Sequence, residues 1–313
     1  MSESGSLGPL FERINIAFFT VAGISFALRA YVRIFLIKAF GKDDYWMTAA
    51  LAVYIANTTI ALLSVKYGSG QHIWHLDDEQ IRMALKLTYL TEITYGTTMI
   101  LTKMSIAAFL LRVTPNQIHR RIIYAAAGLT CAAGLTLVFI VMFQCKPVSA
   151  FWNRKGPRSC LPIDAIVTSV YCYSAFAILT DFTFTFLPMY LIWKLQMDMK
   201  TKIVLVPIMG MAFMASLAVI IRLPYVQDFK KEDFLHSTTN FGVWSAVEQS
   251  LAITAGSLAT LRPLLRRVTG HFKTLKASLW NSADAAPNHS MDSGTAQLTA
   301  HRQDEYKLQS RNP

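Results

Sequence analysis

Charged residues are scarce in this 313-residue chain, at 16% of the total, against about 25% in an ordinary soluble domain. The sequence also has no phosphate-binding glycine loop, no nucleophile elbow and no zinc-binding helix motif. No internal repeat is visible. Hydrophobic residues make up 53% of the chain instead. This composition argues against the common soluble enzyme classes and indicates a membrane protein.

Apolar runs recur along the chain, each near the ~20 residues that a membrane-spanning helix requires. Because only structures that satisfy every backbone hydrogen bond internally can cross lipid, we predict that each run is a helix. The predicted spans are Ile14–Ile37, Tyr45–Ser64, Leu85–Leu111, Ile122–Phe143, Ile163–Trp193, Ile203–Val226 and Phe241–Leu261. They predict an all-α membrane protein, a seven-transmembrane helix bundle that forms one domain over residues 14–262.

The orientation of the bundle follows from its basic residues. The first run has no basic segment before it and no small-residue cleavage site after it, so we expect a membrane helix, not a signal peptide. Arg29, Arg33, Lys38 and Lys42 cluster in and after this run, and basic residues favour the cytoplasmic side. We therefore predict that residues 1–13 form a short extracellular N-terminus and that the C-terminus is cytoplasmic. The net charge of +11 then belongs to membrane edges, which argues against nucleic-acid binding.

Two further stretches follow the predicted bundle. In residues 263–280, apolar side chains such as Leu264, Val268 and Phe272 recur at helical spacing, with arginines and lysines between them. This pattern predicts a basic amphipathic helix on the inner membrane face, where a cytoplasmic partner would have access. Residues 281–313 are polar, and we predict a disordered cytoplasmic tail.

Two of the four cysteines, Cys145 and Cys160, bracket the segment CKPVSAFWNRKGPRSC. The predicted topology places this segment outside the cell, in an oxidising compartment that favours disulfides. A bond that closes a loop of this size stabilises the fold by roughly 3 kcal/mol in the chain-entropy model. We therefore predict a Cys145–Cys160 disulfide, with two free thiols as the alternative.

Ionisable side chains within membrane spans are costly and are functional candidates by default. The candidates in the predicted spans are Glu92, Lys103, Asp181, Arg222 and Glu248. The helical rise per residue places Lys103 and Asp181 at a similar depth, so they can pair if the third and fifth helices are neighbours. Glu92, Arg222 and Glu248 form a second layer nearer the outer edge. These groups either fix the helix register as buried ion pairs or form a polar pocket for a small ligand or for proton transfer.

A second charged cluster is predicted at the inner face. Arg29 and Arg33 are one helical turn apart, and Asp43 and Asp44 follow across a short loop. Their spacing predicts a salt-bridge cluster there. A contact with a signalling partner at this face is the alternative.

The segment KYGSGQHIWHLDDEQ falls between the second and third predicted spans, on the outside. Its aromatic residue Trp74 suits the membrane–water interface. His72 and His75 are spaced i, i+3 and offer two metal ligands, but no further cysteine or histidine nearby completes a tetrahedral set. We therefore predict a structured outer cap that contains His72 and Trp74, and no metal site.

Five segments resemble, in order, the fungal rhodopsin-domain family of integral membrane proteins. They are RAYVRIFLIKAFGKDDYW, YGSGQHIWHL, TKMSIAAFLLRVTP, FQCKPVSAFW with its later cysteine, and VEQSLAITAGSLATLRPLL. The resemblance covers Phe11 to Leu265. The family includes the membrane protein of the satratoxin gene cluster and is related to receptor-like proteins implicated in appressorium formation. Membership implies a seven-helix membrane protein that is often encoded beside secondary-metabolism genes.

Three departures bear on what the family name suggests. The run Phe241–Leu261 contains no lysine, so it offers no attachment point for retinal, and we expect no cofactor. The third run ends in FLLRVTP where animal receptors carry an Asp-Arg-Tyr triplet. The last run has LRPLL where those receptors carry an Asn-Pro-x-x-Tyr motif. Light sensing and standard G-protein coupling are therefore not expected.

Three functions are compatible with these observations. The first is a receptor-like sensor of a small apolar molecule, in a protein associated with fungal secondary metabolism. The second is an intramembrane enzyme, a cyclase or isomerase of a hydrophobic metabolite, in which Asp181, Glu92 or Glu248 acts as general acid. The third, a transporter, is less favoured because no inverted repeat is visible and the number of spans is odd. The expected partners are the lipid bilayer and a small hydrophobic ligand or substrate.

Overall fold

The computed structural model describes residues 6–153, 159–194, 199–231 and 233–261, and it is almost entirely helical. The helices are α1 (Gly8–Tyr31, continued by a π-helical turn, Val32–Leu36), α2 (Lys42–Lys66), α3 (Asp78–Val113), α4 (Gln117–Met142), α5 (Ile163–Lys194), α6 (Met199–Arg222), the short α7 (Phe234–Ser237) and α8 (Thr239–Ala259). Three 3-10 helices, Ile73–His75, Val148–Phe151 and Leu223–Lys230, lie in the connections. The predicted amphipathic helix 263–280 and tail 281–313 lie outside the described residues.

Consecutive long helices run in opposite directions between two ends of the bundle. The disulfide end carries strands β1 (Cys145–Lys146) and β2 (Ser159–Cys160), which pair antiparallel and are joined by the predicted Cys145–Cys160 bond. The arginine end carries the C-terminal part of α1, with Arg29 and Arg33, and the start of α2. The alternation agrees with a polytopic membrane protein.

Backbone hydrogen bonds at the disulfide end join the residue before α1, the connection between α2 and α3, and the short helix α7. The Leu7 N–H donates to the Gly70 carbonyl oxygen at 3.0 Å, and the Gly70 N–H donates to the Leu235 carbonyl oxygen at 3.1 Å. Gly70 has a φ of +89°, and a Cβ at this position would lie 2.6 Å from the Gly8 nitrogen. Glycine is therefore required here, both for the left-handed backbone and for the close approach of α1.

Five helical segments of the described chain are long and apolar enough to cross a bilayer: Gly8–Leu36, Lys42–Lys66, Asp78–Val113, Gln117–Met142 and Ile163–Leu187. Large apolar side chains on their outward faces, such as Ile24, Phe35 and Leu179, are more than half exposed. Such a surface is suited to lipid and unsuited to water. The other two long helices, α6 and α8, are not among these five segments.

Helix α8 is polar because its neighbours are protein and not lipid. It packs against α1, α6 and α3, and most of its residues are buried, including Glu248, Gln249, Ser250 and Thr254. The Ser250 hydroxyl donates to the Phe18 carbonyl oxygen of α1 at 2.6 Å. Hydroxyl and amide side chains of this kind hold helices together inside membranes, where they find few other partners.

Two helix boundaries differ from those predicted from the apolar runs. Helix α1 begins at Gly8, before the predicted Ile14, so that residues 8–13 belong to the helix and not to an N-terminal segment. Helix α6 ends at Arg222, before the predicted Val226, and the chain continues as the 3-10 helix Leu223–Lys230. Pro224 lies at the start of this 3-10 helix, and its missing N–H and fixed φ break the α-helical ladder at that point.

Candidate ligand-binding site

A cavity of about 570 Å³ lies between the helices at the disulfide end. Its volume is in the range of small-molecule sites, about 300–1,000 Å³. Each of the long helices contributes to its wall, α6 through its last residue, Arg222. Most of the lining is apolar and aromatic, with Leu85, Leu137, Phe151, Val170, Phe229 and Phe241 among the larger side chains. The cavity therefore suits a molecule that is mainly hydrophobic.

A buried ion pair lies at one side of this cavity. Arg222 Nη1 is 2.9 Å from Glu248 Oε2, and both side chains are only 1% exposed. The Tyr95 hydroxyl donates to the same Glu248 oxygen at 2.7 Å and also contacts Arg222 Nη1. The guanidinium lies over the rings of Tyr95 and Phe241, at 5.2 and 5.3 Å from their centroids. This network joins α3, α6 and α8, and Arg222 and Tyr95 line the cavity.

Several polar side chains on the cavity wall have hydrogen-bonding capacity that the described residues leave unused. Glu92 on α3 lines the cavity, and no ion pair or hydrogen bond joins it to a described residue. The amide nitrogens of Gln144 and Gln249 are buried and find no partner in the same part of the chain. Because buried polar groups in proteins are almost always paired, the two amide nitrogens, together with the half-buried Glu92 carboxyl, mark where a polar group of a ligand would be held.

The disulfide hairpin forms part of the cavity wall. Cys145, Cys160 and Leu161 line the cavity, together with Ala150 and Phe151 of the intervening 3-10 helix. The Leu161 N–H donates to the Gln144 carbonyl oxygen at 2.7 Å, which holds the hairpin over the end of α4. The Cys145–Cys160 disulfide, predicted to close an outer loop, thus also shapes the candidate ligand site.

Lys103 and Asp181 form a second ion pair, separate from the cavity wall. Lys103 Nζ is 3.0 Å from Asp181 Oδ1 and also donates to the Ala177 carbonyl and the Thr180 hydroxyl, each at 3.2 Å. All three ammonium hydrogens therefore have an acceptor. The pair joins α3 to α5. These two helices are therefore neighbours, which is the condition under which the pair was predicted to form. This arrangement fits a group that fixes helix register.

The four charges predicted for the inner face meet at the arginine end. Arg29 donates to Asp44 Oδ1 through Nε at 2.8 Å and to Asp43 Oδ2 through Nη2 at 3.0 Å. Arg33 donates to the same Asp43 oxygen at 2.8 Å. Arg29 Nη1 also donates to the Gly256 carbonyl of α8 at 2.8 Å. All four charged side chains are buried, so the cluster is an internal salt-bridge network that holds α1, α2 and α8 together.

The predicted cap residues lie together at the disulfide end. His72 and Trp74 stack with their ring centroids 4.6 Å apart, and Trp74 is 67% exposed. His72 Nδ1 lies 2.6 Å from Asp233 Oδ2, so the cap is tied to the segment that precedes α8. The sequence around His72 gave no sign of this partner, which is 161 residues away along the chain.

Comparison with known proteins bears on the family. The model of the fungal rhodopsin domain matches residues 28–267, which is most of the chain. The chain belongs to the fungal rhodopsin domain family. It is accordingly a multi-pass membrane protein, in agreement with its apolar helices. No solved structure matches the chain significantly.

Curated relatives of this fungal rhodopsin domain protein have names that refer to a biosynthesis gene cluster, to a membrane protein family and to a receptor. "Polyenoic acids biosynthesis gene cluster protein Ba17b" of Metarhizium anisopliae is 26% identical, over 82% of this chain and 73% of the relative. "SAT4 family membrane protein" of Emericella nidulans is 26% identical, over 68% and 53%. "Receptor GIN3" of Arthrobotrys oligospora is 21% identical, over 82% and 62%. The chain therefore spans between about half and three quarters of the length of these relatives.

Tyr95, Gln144 and Gln249 of this fungal rhodopsin domain protein were not singled out from the sequence, although all three line the cavity. A tyrosine or glutamine in an apolar run carries no charge, so it gives a weaker signal than Glu92 or Arg222. The available signal was periodicity. Tyr95 lies three residues after Glu92, so the helical repeat places it on the same face as a charge that was identified, whereas Gln144 and Gln249 carried no such signal.

Proposed function

We propose that this protein is a receptor-like sensor that binds a small, mainly apolar molecule in the cavity at the disulfide end. The cavity itself is the observation that carries the proposal. It is large enough for a small metabolite, predominantly apolar, and bordered by Glu92 and by the amide nitrogens of Gln144 and Gln249, which find no hydrogen-bond partner in the described part of the chain. We infer a ligand with a long apolar body and one hydrogen-bonding end, such as a carboxylic acid or a hydroxyl.

We further propose that all seven long helices cross the membrane and that the disulfide end faces outside. A disulfide persists in an oxidising compartment, and the basic cluster with Arg29 and Arg33 lies at the other end. In this arrangement the ligand enters from outside or from the outer leaflet.

Two helices provide a physical connection between the cavity and the arginine end. On α3, Tyr95 lines the cavity, and ten residues further the Ser105 hydroxyl donates to the Asp43 carbonyl oxygen at 2.6 Å. On α8, Gln249 lines the cavity, and the Gly256 carbonyl accepts from Arg29. A shift of either helix on ligand binding would therefore be felt at the buried salt-bridge cluster, which is what a sensor requires.

The relatives support this role and connect it with secondary metabolism. One is named as a receptor and another for a polyenoic acid gene cluster. We propose that this protein is likewise associated with fungal secondary metabolism. A polyenoic acid also has the chemical form that the cavity favours, an apolar chain with one polar end.

Binding can be tested with cis-parinaric acid, a polyene fatty acid that fluoresces in an apolar environment. Saturable binding to the detergent-purified protein is expected. Ala246→Trp should abolish it, because Ala246 lines the cavity and the indole would fill the space. Ala132→Trp is the matched control, on an exposed position of α4. Equal binding by both variants would contradict the proposal, since the probe would then be held elsewhere.

An intramembrane enzyme remains the second candidate, and Glu92 is the observation that favours it. It is the one predicted general acid that borders the cavity without an ion-pair partner in the described residues, whereas Asp181 and Glu248 are paired. Metabolite profiles of cells that carry Glu92→Gln separate the candidates. An enzyme predicts that one product disappears and one precursor accumulates, and a sensor predicts the same set of compounds in altered amounts.

A further inference from the structure

A cluster of metal-ligating side chains lies at the disulfide end, apart from the Arg222 network. It consists of His72, from the connection between α2 and α3, and of Asp233 and His236, from the segment around α7. The candidate ligand atoms of the three side chains all lie within 4.8 Å of one another. The rings of His72 and His236 stack with their centroids 4.0 Å apart.

Neighbouring groups hold two of these side chains in place. The Ile73 N–H donates to Asp233 Oδ1 at 3.1 Å, which leaves Oδ2 directed at His72. Trp74 stacks on His72 with an interplanar angle of 10°. Hydrogen bonds and packing of this kind orient the ligands of metal sites and raise affinity by limiting their freedom. The His72 and Asp233 side chains are 32% and 14% exposed, so an ion from solvent can reach them.

We propose that His72, Asp233 and His236 bind a divalent transition-metal ion of the zinc class. Two imidazole nitrogens and one carboxylate oxygen are a common three-ligand set for zinc, with water in the fourth position. Tetrahedral ligands at the usual zinc distances lie about 3.4 Å apart. Since the candidate ligand atoms lie within 4.8 Å of one another, no separation needs to close by more than about 1.4 Å, which rotation of partly exposed side chains can supply.

The sequence argued against a metal site because His72 and His75 had no third ligand nearby. The fold supplies that ligand, and a further one, from the connection between α6 and α8. His75 is the less suitable member of the original pair, since its ring centroid lies 6.4 Å from that of His72, against 4.0 Å for His236. The site is thus formed by tertiary contact and not by local spacing.

Metal binding would affect the candidate ligand cavity. Phe234, Thr238 and Thr239 flank the two ligands from this segment, and all three line the cavity. An ion shared with His72 would fix this part of the wall to the connection between α2 and α3. This consequence rests on the proposed function, whereas the metal site itself does not.

The test uses the full-length protein in a chelator-free detergent buffer. Zn²⁺ binding is measured by isothermal titration calorimetry, and Co²⁺ binding by its visible absorption, which intensifies in tetrahedral sites. Thermal unfolding with and without Zn²⁺ is followed in parallel. The variants are His236→Ala, His72→Ala and Asp233→Asn, with His75→Ala as the matched control for loss of a histidine at the same end.

We expect His236→Ala and His72→Ala each to lower the affinity for one equivalent of Zn²⁺ at least tenfold. Each should also remove the effect of Zn²⁺ on the melting temperature. His75→Ala should retain both. Asp233→Asn keeps the acceptor for Ile73 and should also weaken binding, so loss of the fold is not needed to explain the result. The proposal fails if wild-type protein binds no Zn²⁺, if His236→Ala binds it unchanged, or if His75→Ala is impaired as strongly. Parinaric acid binding measured on the same samples tests the cavity separately.

Discussion

Removal of one partner of the Arg222–Glu248 pair is expected to destabilise the bundle strongly. Both side chains are 1% exposed, and their closest atoms are 2.9 Å apart. Glu248→Gln removes the negative charge and leaves the Arg222 guanidinium buried without its counter-ion. Breaking a buried pair in this way costs about 3–5 kcal/mol. For a protein of this size the melting temperature falls by about 5 to 8 °C.

Replacement of both partners should cost less than the sum of the single changes. Arg222→Met combined with Glu248→Leu removes both charges and fills the space with apolar atoms. The Tyr95 hydroxyl then loses its carboxylate acceptor, and an unsatisfied buried group of this kind costs about 1–3 kcal/mol. The double variant is therefore expected to lose about 1–3 kcal/mol, well below the sum of two single losses.

The assay is thermal unfolding of the detergent-purified variants, followed by fluorescence. Glu79→Gln is the matched control, because Glu79 forms only a long contact with Arg82, at 3.9 Å, and is 84% exposed. Such a surface pair contributes about 0–1 kcal/mol. The reasoning is refuted if Glu248→Gln shifts the melting temperature no more than this control does, or if the effects of the two single changes simply add.

Two more predictions concern the ends of the bundle. Asp43→Asn should lower the free energy of unfolding by about 3 kcal/mol or more in the same assay, because two buried arginines lose a shared carboxylate. The control Asp164→Asn changes a side chain that is 76% exposed, so it should lower stability little. Cys160→Ser opens a loop with a sequence separation of 15 and should cost about 3 kcal/mol, and reducing agent should lower the melting temperature of wild-type protein but not of this variant. A wild-type melting temperature that ignores reducing agent would contradict the second of these.

The positions of the long helices were accessible from the sequence because lipid imposes a simple requirement. A run of apolar residues of sufficient length must be helical in a membrane, whatever its neighbours are. The ends of the helices were less accessible. The start of α1 at Gly8 depends on contacts with the connection after α2. The end of α6 at Arg222 depends on Pro224, which lies inside the apolar run and does not interrupt its hydrophobicity.

The charged groups within the helices were identified for the same reason, but the specific pairing of Arg222 with Glu248 was not. Glu92, Arg222 and Glu248 stood out because charge is expensive in an apolar run. Their different places depend on which helices are adjacent: Glu92 lies on the cavity wall with no ion-pair partner among the described residues, and Arg222 pairs with Glu248. The order of the apolar runs does not contain that information.

Taken alone, the sequence determined that this is a helical membrane protein of the fungal rhodopsin domain family, and it predicted the Cys145–Cys160 disulfide and the charged cluster of Arg29 and Arg33, both of which the structure contains. Only the tertiary structure decided that the helices enclose a cavity lined by Tyr95, Gln144 and Gln249, and that His72 meets Asp233 and His236. The physical reason is the range of the interactions. Burial in lipid acts on each segment separately, whereas a site needs side chains from several helices to meet.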